Sequence, residues 1–474
     1  MDKLAKHISL LESNNPWVGF KEVMTTSGPI ILGSLSYTVM GFVDTAMVAR
    51  LGSDELAAVG SSNLWSYIMG CFLFGMIGCV GTFVAQSYGR EKYTDCSRYA
   101  WQGIYLSLLA GLLALALLPL SGPLFRSMGH SENVTNLELL NFRIRLAGYV
   151  AIAWITALAS FFQCIGRPGV PMYIAIIANF VNIFINYLLI FGNWGFPRLG
   201  IAGAAIATVI AMFVQVVLLQ IIFLSGRVHA HYGSRRTFRP DWTRLYEVIK
   251  IGLPGGLMLF MDIANWGIFT SYIVGYFGAN ALASHNVAMA FMHVGFMPAL
   301  GLNQGISVLV GQYIGRKDFT LARARTYTAI QVAAIYMFIL GIIFATFGPT
   351  LIRLFFTDVP EVVNLGHTLL ILAAIFQAFD AINIVTSGAL RGAGDTRWMA
   401  IATFFFAYLF FLPLSLALAF AAGRGAVGAW IGATAYIIGL SGVLFTRFYR
   451  GRWQHIQIFA SDQQIAAHHQ NVDH

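Results

Sequence analysis

SGPIILGSLSYTVMGFVDTAMV, residues 27–48, is a run of apolar and small side chains long enough to cross a bilayer, and Asp44 near its end is out of place in hydrocarbon. About 20 such residues wound as a helix span the roughly 30 Å apolar core of a membrane. Runs of the same kind recur along the whole chain, near 26–49, 57–84, 99–121, 139–164, 171–192, 200–225, 248–276, 282–311, 326–348, 366–390, 398–421 and 426–447. A closed β-barrel, the other way to span lipid, needs short alternating segments, and these runs do not alternate. Composition agrees: 58% of the 474 residues are hydrophobic and 10% charged, where soluble domains carry about 25% charged residues. These features predict an all-α membrane protein of twelve transmembrane helices.

Charge sets the expected orientation. With the N-terminus inside, 22 of the 29 Lys and Arg fall on the inner side, many of them around the loop 227–247 and after the last run. That skew predicts both termini in the cytoplasm. The net charge of +9 is therefore a topology signal, and nucleic acid is not an expected partner. The first 24 residues are polar and show no apolar signal-peptide core. The four cysteines, Cys71, Cys79, Cys96 and Cys164, lack metal spacing and read as packing residues.

The chain also repeats itself. LGSDELAAV at 51–59 and FGANALASH at 277–285 share Gly52 with Gly278, Leu56 with Leu282 and Ala57 with Ala283, an offset of 226. VAQSYGR and VGQYIGR align Gln86, Gly89 and Arg90 with Gln312, Gly315 and Arg316 at the same offset. GIAGAAI at 200–206 matches GAVGAWI at 425–431 at offset 225. Six spans per copy is an even number, so the two halves form parallel repeats, as in transporters that expose a central cleft alternately to each side. The expected divisions are an N-terminal segment 1–24, an N-lobe 25–226, a linker 227–247, a C-lobe 248–448 and a cytoplasmic tail 449–474. No Walker-type loop and no Gly-Lys pair occurs, which argues against direct ATP drive and leaves an ion gradient as the energy source. Enzymatic activity is not expected, since no nucleophile with its base and no cofactor loop is present.

Three of the twenty acidic residues, Asp44, Asp262 and Asp380, fall inside the runs. Each costs about 2.5–3.5 kcal/mol at the bilayer centre unless it faces the protein interior, which marks them as functional candidates. Tyr37 and Met40 precede Asp44 at helical spacing and share its face. Asn182 and Asn186 are four apart in the fifth span; with a carboxylate they suit a hard cation or a fixed protonation state, and helix-to-helix bonding is the plain alternative. Met258, Asp262, Asn265 and Trp266 share a face of the seventh span, and Gln377, Asp380 and Asn383 one of the tenth. Proton coupling needs carboxyls that exchange near neutrality, which desolvation permits. His285 and His293 read as packing histidines, Arg143 and Arg145 as side chains snorkelling to the outer interface, and RGAGD, 391–395, as a cytoplasmic hinge.

Together with VAQSYGR, NYLLIFG, GIAGAAIAT and ALASHNVAMAF, the stretches GFVDTAMVARLG and FQAFDAINIVTSGALRGAGDT carry a resemblance. Over roughly residues 20–450 the chain resembles the multidrug and toxic compound extrusion (MATE) transporters, particularly the bacterial norfloxacin-exporter type. The resemblance implies two six-helix lobes arranged as a V and export of amphipathic, often cationic drugs against H⁺ or Na⁺ entry, with no other cofactor. It implies a multi-pass protein of the bacterial inner membrane, a monomer in the lipid bilayer. Asp44, Asn182, Asn186 and Thr208 would form an N-lobe cation site, able to take Na⁺, and Asp262 and Asp380 a C-lobe one. Tyr37, Met40, Met258, Asn265, Trp266, Phe376, Gln377 and Asn383 would line the substrate cavity. Asp262 stands where many members carry Glu, Asn186 where some carry Asp, and Phe376 where Tyr occurs. A lipid-precursor flippase of the same superfamily is the alternative, though a pyrophosphate headgroup calls for a strongly cationic cavity.

Overall fold

A computed structural model describes residues 15–459, and among these every regular element is helical. Ten helices are long and apolar enough to cross a membrane, and two bent pairs bring the number to twelve. In chain order they are α1 Pro16–Val48, α2 Ser53–Gly89, α3 Tyr93–Ala116, the bent α4 Glu132–Ala147 with Tyr149–Cys164, α5 Gly169–Phe191 and α6 Ile201–Phe223. The second set comprises α7 Trp242–Phe277, α8 Ala279–Gly315, α9 Phe319–Phe355, α10 Pro360–Ala393, α11 Thr396–Ala421 and α12 Gly425–Tyr449. The twelve expected runs each fall on one of these spans.

Several helices outrun their apolar cores because polar side chains on the extensions find partners. Glu22, on the first turns of α1, accepts from the Tyr313 hydroxyl and pairs with Arg325, whose Nε lies 2.6 Å from Oε2. Ser131 caps α4 by accepting from the backbone N–H of Val134, and the fully buried Glu138 meets His130 Nδ1 at 2.9 Å. Both carboxylates lie outside the predicted runs, so hydropathy alone passed them over. All four cysteines are buried, with no disulfide among the described residues.

The duplication is written into the backbone. Glu91 and Lys317, 226 positions apart and just past the Gly-Arg of each repeat, both adopt left-handed conformations, φ 61° and 59°. Gly200 and Gly425 open α6 and α12 with φ 54° and 59°. Three residues into each helix a glycine touches the preceding span. A Cβ at Gly203 would lie 2.6 Å from the Leu189 carbonyl oxygen, and one at Gly428 2.4 Å from that of Leu418.

The chain forms two compact units: one of the residues up to Ile31 with Leu257–Gln457, the other of Leu32–Gly256 with the segment from Ile458. Their edges differ from lobes cut at the loops, since they fall inside α1 and α7. Close helix contacts explain where. In the first unit, Gly305 and Gly301 of α8 receive Ser27 and Ile31 of α1, so that a Cβ at Gly301 would lie 2.3 Å from an Ile31 side-chain carbon. In the second, Gly252 and Gly256 at the start of α7 press on α2, a Cβ at Gly256 lying 2.3 Å from the Phe72 carbonyl oxygen. Residues 227–247 are equally bound to the second unit. Ser97 Oγ donates to the Tyr232 carbonyl at 2.6 Å, Trp101 Nε1 to that of Ser234 at 2.8 Å, and Arg244 pairs with Asp95 at 2.9 Å. Burial acts to raise the Asp241 carboxyl there, but the Arg244 backbone N–H and guanidinium outweigh it and hold Asp241 below the usual range. Residues 1–14 and 460–474, most of the expected N-terminal segment and tail, lie outside the described residues.

These contacts give Gly203→Ala a definite cost. With no flexible side chain to yield, the added methyl meets a carbonyl, and overpacking of this kind destabilises by about 1–3 kcal/mol. Gly442→Ala, whose Cβ would meet nothing within 4 Å, is the control. Thermal unfolding of the purified protein in detergent should show a lower midpoint for Gly203→Ala and an unchanged one for Gly442→Ala.

Candidate functional site: two buried polar clusters

In the unit built on Leu32–Gly256, the last turns of α1 bring Asp44 against α5 and α6. Asn186 Nδ2 donates to Asp44 Oδ1 at 2.5 Å and to Asn182 Oδ1 at 3.1 Å. Thr208 Oγ1 donates to Asp44 Oδ2 at 3.0 Å, and Asn182 Nδ2 reaches Thr208 Oγ1 at 3.5 Å. All four residues are buried. The spacing dictates this: Asn182 and Asn186 lie one turn apart on α5, so a single carboxylate can be held from two levels of one helix face. Asn186 Oδ1 is buried without a hydrogen-bond partner. An unsatisfied oxygen beside a carboxylate, an amide and a hydroxyl is the donor set a small hard cation takes. One turn back along α1, Met40 is buried; at two turns, the Tyr37 hydroxyl donates to Gln215 Oε1 on α6 at 2.9 Å.

Arg143 and Arg145 differ in their surroundings. Arg143 is exposed and its Nε donates to Ser121 Oγ at 3.2 Å, but Arg145 is the fourteenth residue of a helix that starts at Glu132. The apolar run begins only at 139, so Arg145 lies about 9 Å into it along the axis. Its Nε is buried and unpartnered, and its electrostatic partners are the Asp44 carboxylate and the Tyr149 hydroxyl. The adjoining turn of α4 touches α6, where a Cβ at Gly148 would lie 3.1 Å from Val209 and 3.4 Å from the Met212 sulfur. The guanidinium on α4 thus acts on Asp44 through its charge, with no ion pair or hydrogen bond between the two. Asn141, Arg145 and Tyr149 recur every fourth residue, the signal that singled out Asn182 and Asn186, and it would have found this stripe.

The other unit holds Asp262 on α7 and Asp380 on α10. Tyr436 of α12 donates to Asp262 Oδ1 at 3.4 Å, and Asn383 Nδ2 to Asp380 Oδ1 at 3.3 Å. No hydrogen bond joins the two carboxylates directly; they interact electrostatically, and the Tyr436 hydroxyl interacts with both. Sequence patterning missed Tyr436, whose hydroxyl an apolar helix gives no cue to. Asn265 is fully buried and neither of its amide atoms has a partner; Gln377 Oε1 is likewise unpaired. Several unsatisfied polar atoms near two carboxylates mark a site for water or an ion rather than a packed core. Met258 lies on the rim of the core, and Trp266 stacks near Phe269 and Phe411 with ring centroids 5.6 Å away in each case. Phe376, expected to line the substrate cavity, has no exposed surface and stacks on Trp430. His285 is a packing histidine, bonded to Thr270 Oγ1 at 2.8 Å and flanked by Phe269 and Trp430. His293 is exposed, contrary to expectation.

A duplicated bundle of twelve spans with carboxylates sequestered among helices is the architecture of a secondary transporter. The comparisons with known proteins give the family. The MatE family model matches residues 29–188 and 259–417, one segment in each half, and the chain belongs to that family. A probable multidrug resistance protein NorM of Pseudomonas aeruginosa is 32% identical over 424 residues, covering 88% of this chain and 86% of the relative. The multidrug resistance protein MdtK of Yersinia pestis is 29% identical over 463 residues, covering 94% and 98%. Among solved structures, an outward-facing multidrug resistance MATE transporter of the MOP superfamily superposes with a TM-score of 0.83 at 21% identity, over 95% of this chain and 99% of that one. The Vibrio cholerae MATE transporter VcmN in its bent form gives 0.81 at 20% identity, over 92% and 97%. The likeness establishes the fold of a multi-pass membrane transporter.

Charge compensation between Asp44 and Arg145 predicts non-additive variants. Asp44→Asn leaves a buried guanidinium without its anion and Arg145→Gln leaves the anion without its cation, so each alone lowers stability. The double variant should recover about 0.5–3 kcal/mol relative to the sum, read from unfolding midpoints in detergent; strict additivity would show that the two charges do not interact.

Proposed function

We propose that this protein is a bacterial inner-membrane antiporter that exports amphipathic, often cationic compounds in exchange for H⁺ or Na⁺. The observation that carries the reading is the pair of buried carboxylate clusters, each complete within its own unit and each retaining an unsatisfied polar atom beside the acid. The names of the NorM and MdtK relatives support drugs as the cargo. Cation and cationic cargo occupy the same carboxylates in turn: a cation binding from outside neutralises the acid and displaces the cargo outward, and its release inside frees the acid for the next cargo molecule. One charge moving through about 150 mV yields roughly 3.5 kcal/mol, while shifting a two-state equilibrium from 1:99 to 99:1 needs about 5.5 kcal/mol. A concentration gradient or a second ion therefore contributes. Asp44 and its neighbours offer the oxygen set that Na⁺ takes, whereas Asp262 and Asp380, held by weaker hydrogen bonds, suit proton exchange.

Flipping of a lipid-linked precursor, the alternative within the superfamily, is disfavoured by the acidic character of both clusters; Arg145 is a single cation and it faces Asp44. Proteoliposomes loaded with ethidium and given either an inward pH gradient or an inward sodium gradient test the proposal. The wild type should export dye under at least one gradient, and Asp262→Asn and Asp380→Asn proteins inserted at equal density should fall to the level of protein-free vesicles under the same gradient. Export at the normal rate by both variants, or ion leak with no dye movement in the wild type, would overturn it.

A further inference from the structure

Away from both carboxylate clusters, one cavity of about 610 Å³ opens between α11 and α12. Its walls are Trp398 and Phe406 of α11 and Ile438 and Val443 of α12. Two glycines carve its floor. Gly439 lets the Phe406 ring approach, since a Cβ there would lie 2.6 Å from it, and Gly442 faces open space. The groove runs about 18 Å over the turns from Ile438 to Arg450; it is apolar from Ile438 to Val443, and Thr446 lies between that trough and the arginines.

Its mouth has a different chemistry. Arg447 lies over the Trp398 ring at 5.0 Å and is held by Asp395, with Nε 2.8 Å from Oδ2. Arg450 and Arg452 also line the mouth and are exposed, and their guanidinium groups make no hydrogen bond or ion pair with any described residue. Beneath them, a Cβ at Gly451 would lie 3.2 Å from a terminal nitrogen of Arg323 on α9, whose Nε is buried and unpaired. Three guanidinium groups therefore line this mouth, of which Arg447 is paired with Asp395, and a fourth, that of Arg323, lies against the adjoining Gly451. Tyr449, 63% exposed and stacked on Phe445, and Trp398 place this end of the helices at the depth where aromatic side chains mark a membrane interface. The charge skew of the sequence assigns that interface to the cytoplasmic leaflet, where anionic lipids concentrate.

We propose that the α11–α12 groove is a binding site for one anionic phospholipid, its phosphate between Arg450 and Arg452 and an acyl chain in the Gly439–Gly442 trough. The complementarity is twofold: unneutralised cations meet the phosphate, and an apolar channel continuous with the bilayer takes the chain. A free phosphate would satisfy only the arginines, and a neutral lipid only the trough. The site does not depend on which compound the protein exports, and it gives the C-terminal helices a lipid-dependent brace next to Trp398 and Arg447.

Native mass spectrometry and thermal unfolding of the full chain in detergent, titrated with phosphatidylglycerol, phosphatidylcholine or inorganic phosphate, test the assignment. The wild type should retain phosphatidylglycerol and gain stability from it, with little response to the other two. The Arg450→Gln/Arg452→Gln double variant should bind it about tenfold or more weakly. Gly442→Leu, which fills the trough at a position with room for a side chain, should lose the bound lipid while its lipid-free midpoint stays near the wild-type value. Equal retention of phosphatidylcholine, stabilisation by phosphate alone, or wild-type affinity in the arginine double variant would overturn the proposal. Should Gly442→Leu fold poorly, the arginine variant at exposed positions decides the matter alone.

Discussion

An ionised carboxylate held among helices in a bilayer is costly unless hydrogen bonds and nearby charge replace the water it has lost. Much of this protein's interior can be understood from how it meets that demand at Asp44, Asp262 and Asp380. Around Asp44 the solution is dense: two hydrogen bonds to the carboxylate, two more within the cluster, and the electrostatic influence of a guanidinium on α4. Around Asp262 and Asp380 it is sparse, with one bond of 3.4 Å and one of 3.3 Å, and with Asn265 left wholly unpaired. The repeat that produced both halves conserved the backbone and let the two polar sites diverge, so that the clusters offer different chemistry to an incoming cation.

Close helix packing keeps these sites in register. Glycines at equivalent places let α6 ride on α5 and α12 on α11, and others bring α8 onto the start of α1 and α2 onto the start of α7. With little hydrophobic drive between helices in lipid, such small-residue contacts carry much of the association. They also divide α1 and α7 between the two units, so that Asp44 and Asp262 each lie beyond a point at which their helix passes from one packing environment to another.

Much of this was legible in the chain. Apolar length gave the helices, and constant offsets at Gly52, Gln86 and Gly200 revealed the duplication, which reappears as matched left-handed residues at Glu91 and Lys317. The grouping of Asp44 with Asn182 and Asn186 follows from one-turn spacing, and Thr208 entered through family resemblance. Other features were hidden for physical reasons. Hydropathy reads only the apolar stretch, so the helical extensions bearing Glu22 and Glu138 fell outside the predicted spans, and the electrostatic link from Arg145 to Asp44 depends on contacts between helices far apart in the chain. A count of apolar side chains does not show that Phe376 is fully buried and stacked on Trp430. Unit boundaries inside α1 and α7 depend on contacts across hundreds of residues, to which local pattern is blind.

Competition between cation and cargo for the same buried acids is the central claim, and equilibrium binding measures it without any gradient. Fluorescence titration of the purified protein with ethidium, at fixed ionic strength, should show weaker binding as either Na⁺ or H⁺ is raised, with the effect abolished by neutralising the responsible carboxylate. Dye affinity that is indifferent to both cations, or that responds equally after Asp44, Asp262 and Asp380 have each been replaced by Asn, would contradict the account.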